Sequence, residues 1–522
     1  MNVQDIFDAL QARALRGDRK LALVVPGGET LTFAELWENV ERASAGLREA
    51  GLAPGDRVLF AVRPAPAAFV LILAIIHAGG VVVALDLGAT AEVFRTRMKL
   101  VQPRWVAAES KILALSAFAP VRALLGRRGV DLPPLARLTP AGFITVGRWL
   151  PGAPRRSRRQ PVVLSYATLK ASSAGPPSPV GSDEAPVLMV FTSGTTAAPR
   201  VVVHSSRSVG ATVALAAEHL ALTPADRVYS AELHMVLPGL LSGATCLVSA
   251  PRPFSAQRAL AEMRRYGATC TSGVPAEFLE VVEELARTQT AFPRKLRTVL
   301  LGAAPVHAAF LSRLQPYLRE DVAVWCVYGA TEILPLCRVR MRDKLEYAGG
   351  GDLVGQPFPG IGITIDETGE LRATGPNLCL GYLGEPPLSE ARTGDLGRIE
   401  HDGSVVLLGR SKDMIIRRHQ NIYPELIEPT VAAIAGVRRC ALVGIPSGAA
   451  GDEAVVLIIE PERGANPRQL LKRVRKELGE GPHRIDLATR PDRVVVGKLP
   501  LAGRSRKIDK AAARAMLTKH RR

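Results

Sequence analysis

Hydroxyls and free backbone N–H groups gathered at the end of a buried strand can wrap phosphate oxygens, and one segment offers that arrangement. Val187-Leu-Met-Val-Phe191 reads as the strand. Thr192, Ser193, Gly194, Thr195 and Thr196 are five small residues at its terminus, and Arg200 adds a fixed positive charge beside them. The spacing is not that of a Walker loop. Taken alone, the run also fits a Ser/Thr/Gly turn that only connects two elements.

The surrounding chain supplies elements to position such a loop. Short β-branched runs (Leu21–Val25, Val58–Val62, Val81–Leu85, Val187–Phe191, Cys246–Ser249, Thr298–Leu301) alternate with helical stretches (Phe33–Ala50, Ser206–Leu220, Ala256–Tyr266). This βα rhythm predicts parallel sheets covered by helices. Ala65–Leu85 is apolar enough to suggest a membrane span, but Gly79-Gly80 cuts it into a buried helix and a buried strand. Leu150–Pro186, dense in Pro, Gly, Ser and Arg, reads as a linker. From Gly350 to Leu408, short strands with Gly-rich turns predict a small β-rich subdomain, and a compact α+β pattern follows Arg410.

The 522 residues exceed one ordinary core, so two or more domains are expected. The net charge of +18 suits acidic partners such as nucleotides, coenzyme A, an acidic carrier protein, nucleic acid or anionic membrane; Arg-rich composition is the plainer alternative. Only 5% of residues are aromatic and no basic stripe interleaves with them, which argues against nucleic acid. Six scattered cysteines without a CxxC pair fit neither a zinc site nor a disulfide framework, so a reducing cytoplasm is expected. The first residues read as an amphipathic helix, not a signal peptide.

Thr192-Ser-Gly-Thr-Thr196, followed by Pro199 and Arg200, resembles the phosphate loop of the adenylate-forming superfamily, which includes acyl-CoA synthetases, peptide-synthetase adenylation domains and luciferases. Here Ala197, Arg200 and Val201 replace the usual Gly and Lys-Gly. Further segments match in order. Gly302, Ala303 and Ala304 resemble the adenine-side loop. Val327-Tyr-Gly-Ala-Thr-Glu332 resembles a segment in which Tyr328 and Gly329 border the adenine, Thr331 touches the α-phosphate and Glu332 holds Mg²⁺. Asp395 stands where the family binds the ribose diol, Arg410 beside it, and Lys412 at the hinge. Lys507 occupies the place of the catalytic lysine, with Arg506 where a Gly is usual. His234 resembles a pocket histidine, a structural histidine being the alternative, and Val274 lines either the acyl pocket or the core.

The resemblance implies an α/β body of two parallel-sheet subdomains and a β-rich subdomain over residues 1–409. It also implies a small mobile α+β domain over 410–522. It implies ATP, Mg²⁺ and coenzyme A as cofactors, and a carboxylic acid, fatty or related, activated as acyl-AMP. Three outcomes stay open: transfer to coenzyme A or a carrier thiol, closure of a β-hydroxy acyl-AMP to a β-lactone, and nucleotide binding without turnover. Arg418 and His419 stand where thiol-forming members usually carry small residues.

Overall fold

The computed structural model describes the chain except residues 18, 86–90, 128–131, 156, 174–180, 192–199, 250–253, 418–419, 448–452, 488, 503–505 and 520–522. Two large sheets dominate. In the eight-stranded sheet, Pro186–Phe191, Val81–Ala84, Arg57–Ala61, Trp105–Glu109, Gly142–Val146 and Val162–Ser165 run parallel, each next to the last. Val201–Ser205 and Gly381–Tyr382 extend it antiparallel.

In the thirteen-stranded sheet, Leu21–Val24, Thr245–Leu247, Arg227–Tyr229, Cys270–Gly273, Thr298–Leu301 and Ala323–Ala330 form the parallel run. Antiparallel strands continue from it through Ile333–Arg340 and Asp352–Pro357 to Val405–Arg410 and Ala391–Ile399. The predicted β-rich strands are therefore hydrogen-bonded onto the parallel array.

The helix Pro66–His77 is buried on eleven of its twelve residues, because it lies in the core shared by the sheets. That core joins Val82 and Trp105 of one sheet to Leu23, Val228 and Cys246 of the other, through Phe33, Leu36 and Val40 of the helix Phe33–Glu49. Full burial explains the uninterrupted apolar run, and no helix among the described residues is long and apolar enough to cross a membrane. The expected linker holds the edge strand Val162–Ser165 and the helix Tyr166–Lys170, so ordered structure extends into that stretch.

Beyond residue 414, a three-stranded sheet of Val437–Pro446, Glu453–Pro461 and Arg493–Val496 carries cores of its own. Leu442, Leu457 and Ile459 pack on one face with Ile427, Leu470 and Val474. Val443, Val456 and Ile458 pack on the other with Ala513 and Leu517. Alternate residues of each strand thus enter opposite cores, the period-2 burial of a central strand.

Candidate active site

The parallel strands of the larger sheet bring several predicted residues to one edge, since neighbouring parallel strands end on the same side. After Leu301 the chain turns through Gly302 and Ala303. A Cβ on Gly302 would stand 2.9 Å from the Val327 carbonyl oxygen of the adjacent strand, so only glycine fits. Ala303 takes a left-handed φ of 61°. Tyr328 and Gly329 lie near the end of that neighbouring strand.

On the other side, Cys270–Gly273 leads through Val274 into the helix Pro275–Thr288. Arg227–Tyr229 leads to the helix Leu233–Ser242 carrying His234. His234 and Val274 are half-buried at this edge, whereas Met235 and Leu240 are fully buried in the core. Burial lowers the His234 pKa, with Glu232 opposing. Glu277, in the first turn after Val274, is pushed up to about 7 by burial. Arg506 opposes that rise, and Glu232 and Glu280 add to it.

A second group centres on Asp395. Asp395 and Arg410 are cross-strand partners, which sets guanidinium against carboxylate. Arg410 Nε donates to Asp395 Oδ1 at 2.5 Å, and the Tyr328 hydroxyl donates to Oδ2 at 2.6 Å. Burial and the Asp395 charge hold the Tyr328 phenol far above its usual pKa. Lys507, on the short strand Lys507–Ile508, feels the charges of this group. Although its surface keeps contact with solvent, crowding by protein lowers its pKa, followed by the charges of Arg410 and Lys412, while Asp395 opposes. Lys412 lies in the 3-10 turn Ser411–Asp413, immediately after Arg410.

A third group forms around Glu332. The Tyr382 hydroxyl donates to Glu332 Oε1 at 2.7 Å. The Arg200 guanidinium lies over the Tyr382 ring, 4.5 Å from its centroid, with Nε 3.5 Å from Glu385 Oε1. Thr331 is exposed, and its carbonyl is anchored by His204 Nε2 at 3.0 Å. Burial depresses His204 to a pKa of about 4, so the ring is neutral and Nε2–H donates to that carbonyl. Thr192, Ser193, Gly194, Thr195 and Thr196 lie outside the described residues, as do Arg418 and His419.

Among the described residues, no group of three or more His, Cys, Asp or Glu side chains could hold a metal alone. Glu332, half-buried with one oxygen engaged by Tyr382, fits a hard cation bound chiefly through substrate phosphates. Tyr382, His204 and Glu277 were not singled out from the sequence. The signal available was slight: a lone histidine in the buried run Val201–Ser205, and a Gly-Tyr pair among turns.

The profile of the AMP-binding enzyme family matches residues 10–383. A feruloyl-CoA synthase of Amycolatopsis sp is 30% identical over 462 residues, covering 83% of this chain and 84% of that protein. An olefin beta-lactone synthetase of Stenotrophomonas maltophilia is 27% identical over 496 residues, covering 85% and 83%. The solved structure of an anthranilate CoA ligase in complex with anthranoyl-AMP superposes with a TM-score of 0.81 at 18% identity. It covers 100% of this chain and 98% of that one. With the family profile spanning most of its length and a relative of this identity over most of both chains, the protein belongs to the AMP-binding enzyme family, the adenylate-forming ligases.

Proposed function

We propose that this enzyme adenylates a carboxylic acid, aryl or fatty, with ATP and Mg²⁺. It then passes the acyl group to coenzyme A or a carrier thiol, releasing AMP and pyrophosphate. The observation that carries this reading is the Asp395–Arg410–Tyr328 group, one carboxylate held by a guanidinium and a phenol. It supports a site where a carboxylate suited to a ribose diol adjoins a ring suited to a base, with Lys507 near enough to feel the Arg410 and Asp395 charges.

In the first step a carboxylate oxygen bonds to the α-phosphorus, and the bond from that phosphorus to the bridging oxygen of pyrophosphate breaks. Lys507 offsets the repulsion between the approaching anions. Arg200 and Thr331 face the phosphates, and Mg²⁺, when bound at Glu332, supplies further charge neutralisation. Asp395 accepts from the ribose hydroxyls, and Gly302–Ala304 lets the adenine lie flat against backbone. His234 and Val274 border the acid. Residues 1–409 form the body and 410–522 the lid, which pivots at Lys412 to exchange the lysine for the thiol acceptor. The six cysteines, all buried free thiols, suit a reducing cytoplasm.

The feruloyl-CoA synthase relative supports the thiol acceptor. The olefin beta-lactone synthetase relative supports a second reading, in which the substrate's own β-hydroxyl attacks the acyl-AMP. Pyrophosphate release from aryl, fatty and β-hydroxy acids, with and without coenzyme A, separates them. Stimulation by coenzyme A supports the ligase. Release confined to β-hydroxy acids and indifferent to coenzyme A supports lactone closure.

A further inference from the structure

We propose that Arg506 docks the lysine strand onto the helix Pro275–Thr288 and so positions Lys507 beside Asp395 and Arg410. The catalytic part of this claim rests on the function proposed above; the docking does not. Arg506 has a left-handed backbone, φ 47°, a region that Cβ-bearing residues seldom occupy. Its side chain reaches the facing helix, where Nη1 lies 2.8 Å from Glu280 Oε1. The two side chains are 33% and 27% exposed, so the pair is partly withdrawn from water.

Glu277, Glu280 and Glu283 recur every three residues and share one face of that helix. The Glu277 carboxyl, one turn before Glu280, also feels the Arg506 charge. Arg438 occupies the next turn, with Nε 2.7 Å and Nη2 3.1 Å from the Glu283 carboxylate. A further bridge, Arg313 to Glu462 at 2.9 Å, leaves the helix Ala308–Leu314.

These contacts divide the work. Arg438 lies on the strand Val437–Pro446 and Glu462 just follows Glu453–Pro461, so their bridges hold the three-stranded sheet. Arg506 immediately precedes Lys507, and its bridge holds the lysine strand itself. An exposed ion pair would contribute little. This one is partly buried, faces two carboxylates and holds a backbone turn that glycine would adopt more readily.

Hydrogen–deuterium exchange of the full-length protein tests the docking without needing turnover. The variants are Arg506→Gly, Glu280→Ala, their combination, and the exchange Arg506→Glu with Glu280→Arg. Glycine suits the left-handed turn, so its effect reads the lost ion pair and not a misfolded loop. Each single variant is expected to speed exchange at 507–510 about fivefold, the combination no more than either, and the charge exchange to restore protection. Exchange in 453–461 should stay unchanged, and salt should loosen the wild type and the charge-exchanged variant but not those that lack the pair. Acid-dependent pyrophosphate release should fall about fivefold in kcat with KM for ATP held, since ATP binding does not need the lysine in place.

Wild-type exchange in both single variants, or additive losses in the combination, overturns the docking. The expected exchange pattern with unchanged kcat overturns the positioning of Lys507. The expected exchange pattern in a wild type that releases no pyrophosphate with any acid upholds the docking and defeats the adenylation reading instead.

Discussion

The Tyr328 hydroxyl donates to Asp395 Oδ2 at 2.6 Å, linking the end of a parallel strand to the antiparallel strand Ala391–Ile399. Arg410 engages the other oxygen, so the carboxylate proposed for the ribose is fixed in direction. Tyr328→Phe removes one hydrogen bond to a charged acceptor, and we expect KM for ATP to rise about tenfold. Asp395→Ala also leaves Arg410 without its carboxylate, and a larger loss should appear as undetectable ATP binding by calorimetry.

The Glu332–Tyr382 contact makes a graded prediction. Glu332→Gln removes the carboxylate proposed for Mg²⁺ and should lower kcat about 100-fold while raising the Mg²⁺ concentration needed. Tyr382→Phe keeps the charge and loses only its hydrogen bond, so about a fivefold loss is expected. A Mg²⁺ titration of both variants checks the order.

The role proposed for Lys507 needs its protonated form. Its pKa is lowered by crowding and by Arg410 and Lys412, so activity should fall on the alkaline side below the ordinary lysine value. Lys412→Ala removes a like charge. It should move that limb upward in the pH profile of pyrophosphate release, whatever its effect on the proposed pivot.

Asp226 anchors the opposite end of the parallel strands. Arg297 reaches it through Nε and Nη2, each at 2.7 Å. Burial pushes its carboxyl up, but Arg297, Thr269 and Thr223 together outweigh burial and hold it well below the usual range. A depressed folded-state pKa stabilises above the unfolded value, roughly pH 4, and that contribution is lost as pH falls further. Thermal melts should show Asp226→Asn less stable at neutral pH, with the gap to wild type closing below roughly pH 4.

Local pattern carried much of the fold. The helix Pro66–His77 and the strand Val81–Ala84 were legible because their apolar runs break at Gly79-Gly80. Tyr328, Glu332, Asp395 and Arg410 stood out as candidates because each sits in a short segment of recognisable order. Tyr382 did not, because Gly381–Tyr382 gains meaning only when it pairs with Val201–Ser205, far away in the chain. Arg506 and Glu280 likewise meet only across the folded molecule. Val162–Ser165 passed for linker because its neighbour Gly142–Val146, not its own short run, makes it a strand.

The most direct test of the central claim is pyrophosphate release from ATP and Mg²⁺ across aryl, fatty and β-hydroxy acids, comparing wild type with Lys507→Ala. The account predicts acid-dependent release that falls at least about 100-fold in the variant. ATP binding without acid-dependent release, or equal release by Lys507→Ala, would contradict it.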